Sequence, residues 1–232
     1  MMIHHEASVA PIFKERRMIA RWRPRWYLPA LLVSCISPAM AHPHVWVKAR
    51  AEMVYEPGGK LTGIRHFWTF DKGYSAFLVQ GLDKNGDGRF SPEELQDLAK
   101  ENTESLVEFD YFTVLKTNGK KQEFGIPRDY RMIYDTEGAT LSYVLPLKSP
   151  SLTRTLSLEV YDPTLFISFA LADNKDAVTL AGAPQGCATN ISRPKNPEPD
   201  AQQAPPESFF ETLTAASSFG TQFASKAIVA CP

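Results

Sequence analysis

Twelve consecutive residues, Asp83-Lys84-Asn85-Gly86-Asp87-Gly88-Arg89-Phe90-Ser91-Pro92-Glu93-Glu94, set side-chain oxygens at positions one, three, five, nine and twelve. This is the D-x-[DN]-x-[DN]-G-x5-E spacing of an EF-hand-type calcium loop. Calcium is a hard cation that takes roughly six to eight oxygens. Asp83, Asn85 and Asp87 present side chains on alternate positions, and Gly88 permits the sharp turn at the sixth. Arg89 has only its backbone carbonyl to offer, Ser91 a hydroxyl or a bridging water, and Glu94 both carboxylate oxygens. Phe90 falls where such loops carry an apolar anchor. The bland reading is an Asx-rich turn leading into a capped helix, because Ser91 to Glu94 is also a capping box with Pro92 in the first turn. Turn propensity alone does not require ligands at positions one, three, five and twelve together. A single loop with no partner and no Met-rich groove points to a structural ion rather than a sensor, bound at roughly 10⁻⁴–10⁻³ M.

A second constellation is His42-Pro43-His44. If the chain is cut after Ala41, His42 becomes N-terminal, and its amine and imidazole can chelate one metal. His44 lies one strand repeat away, on the same face. Pro43 has no N–H, which rules out a copper site built on deprotonated backbone amides. A brace of the His42 amine and ring with the ring of His44 or His66 would suit zinc, nickel, cobalt or copper. The competing reading is a polar lead-in to a strand. Asp71, Tyr74 and Glu52 can join a polar site, though such residues more often cap helices or pair at the surface. There is no G-x-S-x-G elbow, no phosphate-cradling glycine loop and no C-x-x-C pair, so a non-enzymatic protein is expected.

Cleavage after Ala41 is itself expected. Arg16, Arg17, Arg21, Arg23 and Arg25 precede an apolar run from Trp26 to Val33, and Pro38-Ala39-Met40-Ala41 supplies the small residues of a cleavage site. That is the order of a secretory signal peptide over residues 1–41, with Met18 as an alternative start to Met1. Leu32-Val33-Ser34-Cys35 resembles a lipoprotein box, but the short apolar run and the Ala-Met-Ala site favour cleavage, and hence a periplasmic protein, over anchoring through Cys35. Cleavage leaves 191 of the 232 residues as one domain, 42–232. The leader holds six of the 25 Lys and Arg and two of the 26 Asp and Glu, so the remainder carries 19 against 24, a formal charge of −5. An acidic balance argues against a nucleic-acid partner. Of three cysteines, Cys187 and Cys231 remain, an even number, and a disulfide between them is expected in an oxidising compartment.

These residues must be positioned by a mainly β, α+β fold. Val45, Val47, Ala49, Ala51 and Met53 alternate with Trp46, Lys48, Arg50 and Glu52 as in a strand, and Leu61 to Phe70 follows the Glu56-Pro57-Gly58-Gly59 turn as its hairpin partner. Helical spacing predicts a helix over 71–82 and another over 92–109, with Leu95, Leu98, Ala99, Leu106 and Phe109 as its buried stripe. Residues 71–109 are thus an EF-hand-like helix-loop-helix inserted into a β-sandwich-like body. Strands are predicted at 112–116, 122–124, 130–134, 140–147, 156–161, 165–171 and 178–180. An exposed linker over 192–206, a short helix over 207–216 and a last strand over 223–230 complete the chain.

At His42-Pro43-His44-Val45-Trp46-Val47, Trp68-Thr69-Phe70-Asp71, Ala76 to Asp83 and Tyr161-Asp162-Pro163, the chain resembles a bacterial family of unknown function, described as periplasmic components of an uncharacterised ABC-type transport system. The resemblance runs from His42 to about Cys187 and on to Cys231. It implies metal handling beside an inner-membrane nickel, cobalt or zinc transporter, with His42, His44 and the loop ligands Asp83, Asn85, Asp87 and Glu94 carried over by position. The leading expectation is a periplasmic metal-binding accessory protein with a structural calcium, since 191 residues are few for a two-lobed receptor. The alternatives are a calcium-stabilised interaction domain without a transition metal, and a copper-dependent oxidase using His42.

Overall fold

Alternating burial along Val45–Tyr55 organises the molecule: every second side chain from Val45 to Tyr55 is buried, while Trp46, Lys48 and Arg50 face outward. The computed structural model describes residues 43–196, 207–213 and 218–232. Their elements run β1 (Val45–Tyr55), β2 (Leu61–Phe70), α1 (Lys72–Leu78), α2 (Gln96–Ser105), a 3-10 turn (Leu106–Phe112), β3 (Thr113–Thr117) and β4 (Lys120–Lys121). Then come β5 (Arg128–Asp135), β6 (Gly138–Ser151), β7 (Thr155–Val160), β8 (Ile167–Leu171), β9 (Val178–Ala181) and β10 (Ala188–Ser192). The short α3 (Glu207–Phe210), a second 3-10 turn (Phe219–Phe223) and β11 (Lys226–Ala230) follow.

The strands form two sheets. One has the order β5-β6-β2-β1-β8, with β9 pairing to β1 beyond β8; the other has the order β10-β11-β7-β3-β4. β1 and β2 make the expected antiparallel hairpin, with Ala51 opposite His66. The other edge of β1 pairs in parallel, first with β8 (Val45 opposite Ile167) and then with β9 (Ala51 opposite Val178). The sheets meet face to face: Thr113 Oγ1 of β3 lies 3.4 Å from His66 Nε2 of β2, and Thr117 Oγ1 lies 3.0 Å from Ser151 Oγ. Between them Met53, Leu61, Ile64, Leu115, Leu145 and Leu158 are fully buried, each contributing about 1.5–3 kcal/mol by removal from water. The body is therefore mostly β, in two packed layers.

Turn chemistry sets two hairpins. Asn118 and Gly119 take φ of 47° and 80° between β3 and β4, the left-handed pair of a two-residue hairpin loop. Asp135 accepts the Glu137 N–H at 2.8 Å where β5 turns into β6. Gly138 at φ 130° starts β6, and a Cβ there would lie 2.6 Å from the Phe70 carbonyl and 2.7 Å from Ser75 Oγ. The same Ser75 hydroxyl donates to Phe70 O and accepts the Ala139 N–H, so α1 is pinned to β2 and β6 by one buried side chain.

Several boundaries differ from the sequence expectation. The helix predicted over 71–82 stops at Leu78, and that predicted over 92–109 is α2 over 96–105 followed by the 3-10 turn. Leu95, Ala99 and Leu106 are buried and Leu98 partly so, but Phe109 is half exposed because Phe109, Asp110 and Tyr111 leave helical geometry. The strand predicted over 122–124 is a hairpin arm at Lys120–Lys121 plus a single bridge from Phe124 to Leu147. β10 occupies 188–192, where no strand is predicted: Thr189 and Ile191 are half buried between exposed neighbours, too weak an alternation to flag. Most of the predicted linker, 197–206, and part of the predicted 207–216 helix lie outside the described residues. Cys187 and Cys231 are joined by a disulfide that ties the start of β10 to the end of β11.

Candidate functional site

Between α1 and α2 the Asp83–Glu94 loop is held by its own carboxylates. Asp83 Oδ1 accepts the Gly86 and Asp87 N–H groups at 2.8 and 3.2 Å, and Oδ2 accepts Gly88 N–H at 2.9 Å. Asn85 Oδ1 accepts Asp87 N–H and Asp87 Oδ1 accepts Arg89 N–H. Glu94 closes the circuit: Oε1 accepts Lys84 N–H at 2.9 Å and Asn85 N–H at 3.4 Å, and Oε2 accepts Ser91 N–H at 2.9 Å. The Ser91 hydroxyl accepts Glu94 N–H in return, the reciprocal bond of a capping box. Hydrogen bonds from Ser91 and then Lys84 hold the half-buried Glu94 carboxyl below its ordinary range. Gly86 and Gly88 take φ of 72° and 74°, which L side chains rarely adopt. Asp83, Asn85, Asp87, Arg89, Ser91 and Glu94 thus lie on one loop, with the Asx turns and the capping box superimposed on the calcium spacing. Among the described residues no three His, Cys, Asp or Glu side chains converge on one point closely enough to hold an ion. To hold an ion, the loop would need Glu94 turned from these backbone N–H groups toward it.

The histidines separate. His42 lies outside the described residues. His44 is exposed immediately before β1, its ring 4.7 Å from that of Phe166. His66 is completely buried on β2, opposite Ala51, seven strand residues from His44, or about 23 Å. Its ring stacks on Tyr143 at 5.2 Å and meets Trp68 edge-on at 5.4 Å, and burial lowers its pKa to about 3. The Thr113 hydroxyl donates to Tyr111 O at 2.7 Å, so the long Nε2 contact is His66 donating to Thr113, and Nδ1 has no partner among the described residues. The structure does not bring His66 together with His44; His66 is a neutral core histidine.

Asp71 and Tyr74 adjoin, but Glu52 does not join them. Asp71 Oδ1 caps α1 by accepting Tyr74 N–H at 2.9 Å, while Oδ2 accepts Trp46 N–H at 3.1 Å. Glu52 pairs with Arg65 on the neighbouring strand at 3.4 Å.

A cavity of about 710 Å³ opens at one end of the sandwich, within the usual range of small-molecule sites. Its wall is aromatic: Trp68 and Phe70 come from β2, Phe112 precedes β3, and Phe169 lies on β8. Trp68 meets Phe169 edge-on at 4.9 Å, and Phe112 lies 5.4 Å from Phe169. α1 contributes Tyr74, α2 contributes Asn102 and Ser105, and the β7–β8 loop contributes Asp162, Thr164 and Phe166. Asp162 is 5% exposed, with Oδ1 accepting Thr164 N–H and Oγ1–H at 2.8 Å and Oδ2 accepting Ile167 N–H at 3.0 Å. Two backbone corners beside the cavity are strained: Asp110, Tyr111 and Phe112 take φ of 51°, 56° and 47° in succession, and Leu165 takes 59°. Apart from Tyr74, sequence reasoning assigns none of these residues a site role, because their convergence depends on the parallel pairing of β8 with β1, which leaves no local signal.

Comparisons with known proteins bear on the whole chain. An uncharacterised protein of Haemophilus influenzae (strain ATCC 51907 / DSM 11121 / KW20 / Rd) is 26% identical over 198 residues, covering 83% of this chain and 92% of its own. An uncharacterised 15.5 kDa protein in the trpE 3′ region of Spirochaeta aurantia is 31% identical over 90 residues, 38% of this chain and 64% of that one. No solved structure matches. The family described as "Protein of unknown function (DUF1007)" matches residues 27–231, and the chain belongs to that family.

Proposed function

We propose that the protein is a non-catalytic, exported metal-binding protein in which one calcium ion organises the 83–94 loop, and that it serves a transition-metal transport system as a periplasmic accessory. The observation that carries the calcium reading is the loop itself: Asp83, Asn85 and Asp87 sit on alternate positions around Gly86 and Gly88, with Glu94 folded back over the start of the loop. Asp83, Asn85, Asp87 and Glu94 would supply side-chain oxygens, Arg89 its carbonyl, and Ser91 its hydroxyl or a water, a hard all-oxygen set that suits calcium. Calorimetry of the wild type beside Asp83→Ala tests it; equal calcium heats sink the reading.

The transition-metal role rests on His42-Pro43-His44 and on the resemblance that implies transport. His44 is exposed beside Phe166, in reach of a metal held at the chain's processed end. His66, buried to 0% exposure, is left out of this ligand set. Metal content of correctly processed protein, compared with a form carrying one extra N-terminal residue, is the test. Equal zinc, nickel, cobalt or copper in both removes the N-terminal amine from the site. A calcium-stabilised interaction domain is the second reading, favoured by the exposed rings of Trp46, Phe109 and Phe166.

A further inference from the structure

The cavity at the end of the sandwich has an electrostatic character that its aromatic wall does not announce. Four charged residues line it: Glu108, Asp110, Lys121 and Asp162. Lys121 is committed to Asp110 at 2.7 Å. Glu108 is exposed on the rim, and Asp162 is buried in the wall with only neutral donors around its carboxylate. No cation pairs with Asp162 among the described residues. The lining thus carries two uncompensated negative charges, one of them removed from water, where a charge is weakly screened.

We propose that this cavity is a binding site for a small organic cation, a quaternary or alkylated ammonium group carried on an apolar body. Aromatic rings attract such cations through their quadrupole, most strongly where water is excluded. Trp68, Phe112 and Phe169 in the wall and the half-exposed Phe109 and Phe166 at its edge supply those rings, while Asp162 and Glu108 supply the opposite charge. An anion meets net repulsion here. A neutral apolar guest gains the wall but leaves the Asp162 charge uncompensated. A bare metal ion is a poor fit, because the wall offers rings instead of oxygens and both Asp162 oxygens already accept backbone N–H groups. Ser105, exposed at the end of α2, stands at the mouth.

The test compares 4-hydroxy-N,N,N-trimethylanilinium with its neutral isostere 4-tert-butylphenol by isothermal titration against the full chain. The cation is expected to bind about tenfold more tightly. That advantage should fall to about unity in Asp162→Asn, and Ser105→Trp should abolish binding of both compounds without altering the melting transition. Should Asp162→Asn not fold, Glu108→Gln at the exposed rim is read in its place and lowers the advantage about two- to threefold. The proposal is overturned if the isostere binds as tightly as the cation, if neither binds at millimolar concentration, or if Ser105→Trp leaves binding intact.

Discussion

The Phe90 ring stands edge-on to Tyr134 of β5, 5.0 Å between centroids, and is the aromatic contact through which the 83–94 loop grips the sheet. An ion that orders the loop therefore stabilises more than the loop. With a dissociation constant of roughly 10⁻⁴–10⁻³ M, 10 mM calcium should raise global stability by about 1.4–2.7 kcal/mol. Thermal melts with calcium and with chelator read this. Glu94→Gln should abolish the difference, and Phe90→Ala should keep the calcium heat while shrinking the shift in melting temperature.

His66 makes the fold acid-sensitive. Its imidazole titrates near 6.5 when unfolded and near 3 when buried. Between those values the unfolded chain binds more protons, so this contribution is fully present above pH 6.5 and is lost as pH falls toward 3, at a slope of up to about 1.4 kcal/mol per pH unit. His66→Phe keeps a ring between Trp68 and Tyr143, and removes an Nδ1 that has no partner among the described residues. Denaturant titrations across pH should show this variant within about 1 kcal/mol of wild type at pH 7 and with a flatter acid limb. An unchanged acid limb would mean that other groups dominate.

The disulfide closes a separation of 44 residues. Loop entropy puts its contribution at about 3–4 kcal/mol. A Cys187→Ala/Cys231→Ala double variant should unfold at correspondingly lower denaturant, and reductant should affect the wild type alone.

Asp71 serves two elements at once, capping α1 through Tyr74 N–H and bonding Trp46 N–H of β1. Asp71→Ala should cost about 1–2 kcal/mol, more than a peptide cap alone. Asp71→Asn, which keeps a carbonyl oxygen, should recover part of that loss in chemical denaturation.

What was legible depended on how local the signal was. The β1 alternation, the Asn118-Gly119 turn and the Asp135–Gly138 turn each operate over a few residues, and the strands they imply are present. The Asp83–Glu94 spacing is equally local, and Asx-turn and capping-box hydrogen bonds run through the same residues. Tertiary context decided the rest. His66 looks like any polar position of a half-buried strand, yet the second sheet covers it completely. Phe109 continues a helical stripe in sequence but is turned outward by the left-handed backbone at Asp110 and Tyr111. The cavity needs β8 laid beside β1, a pairing no periodicity announces.

That pairing also sets the order in which the molecule can be completed. Val45, at the head of β1, has its parallel partner at Ile167, and Ala51 finds Val178 further on still. The opening strand of the main sheet thus waits with one edge unpaired until most of the polypeptide has been made. A topology dominated by such distant pairings folds slowly, because a long loop must close before the contact repays it. The unfolded chain should stay open and accessible to holding factors until β8 and β9 are available, then close cooperatively around β1.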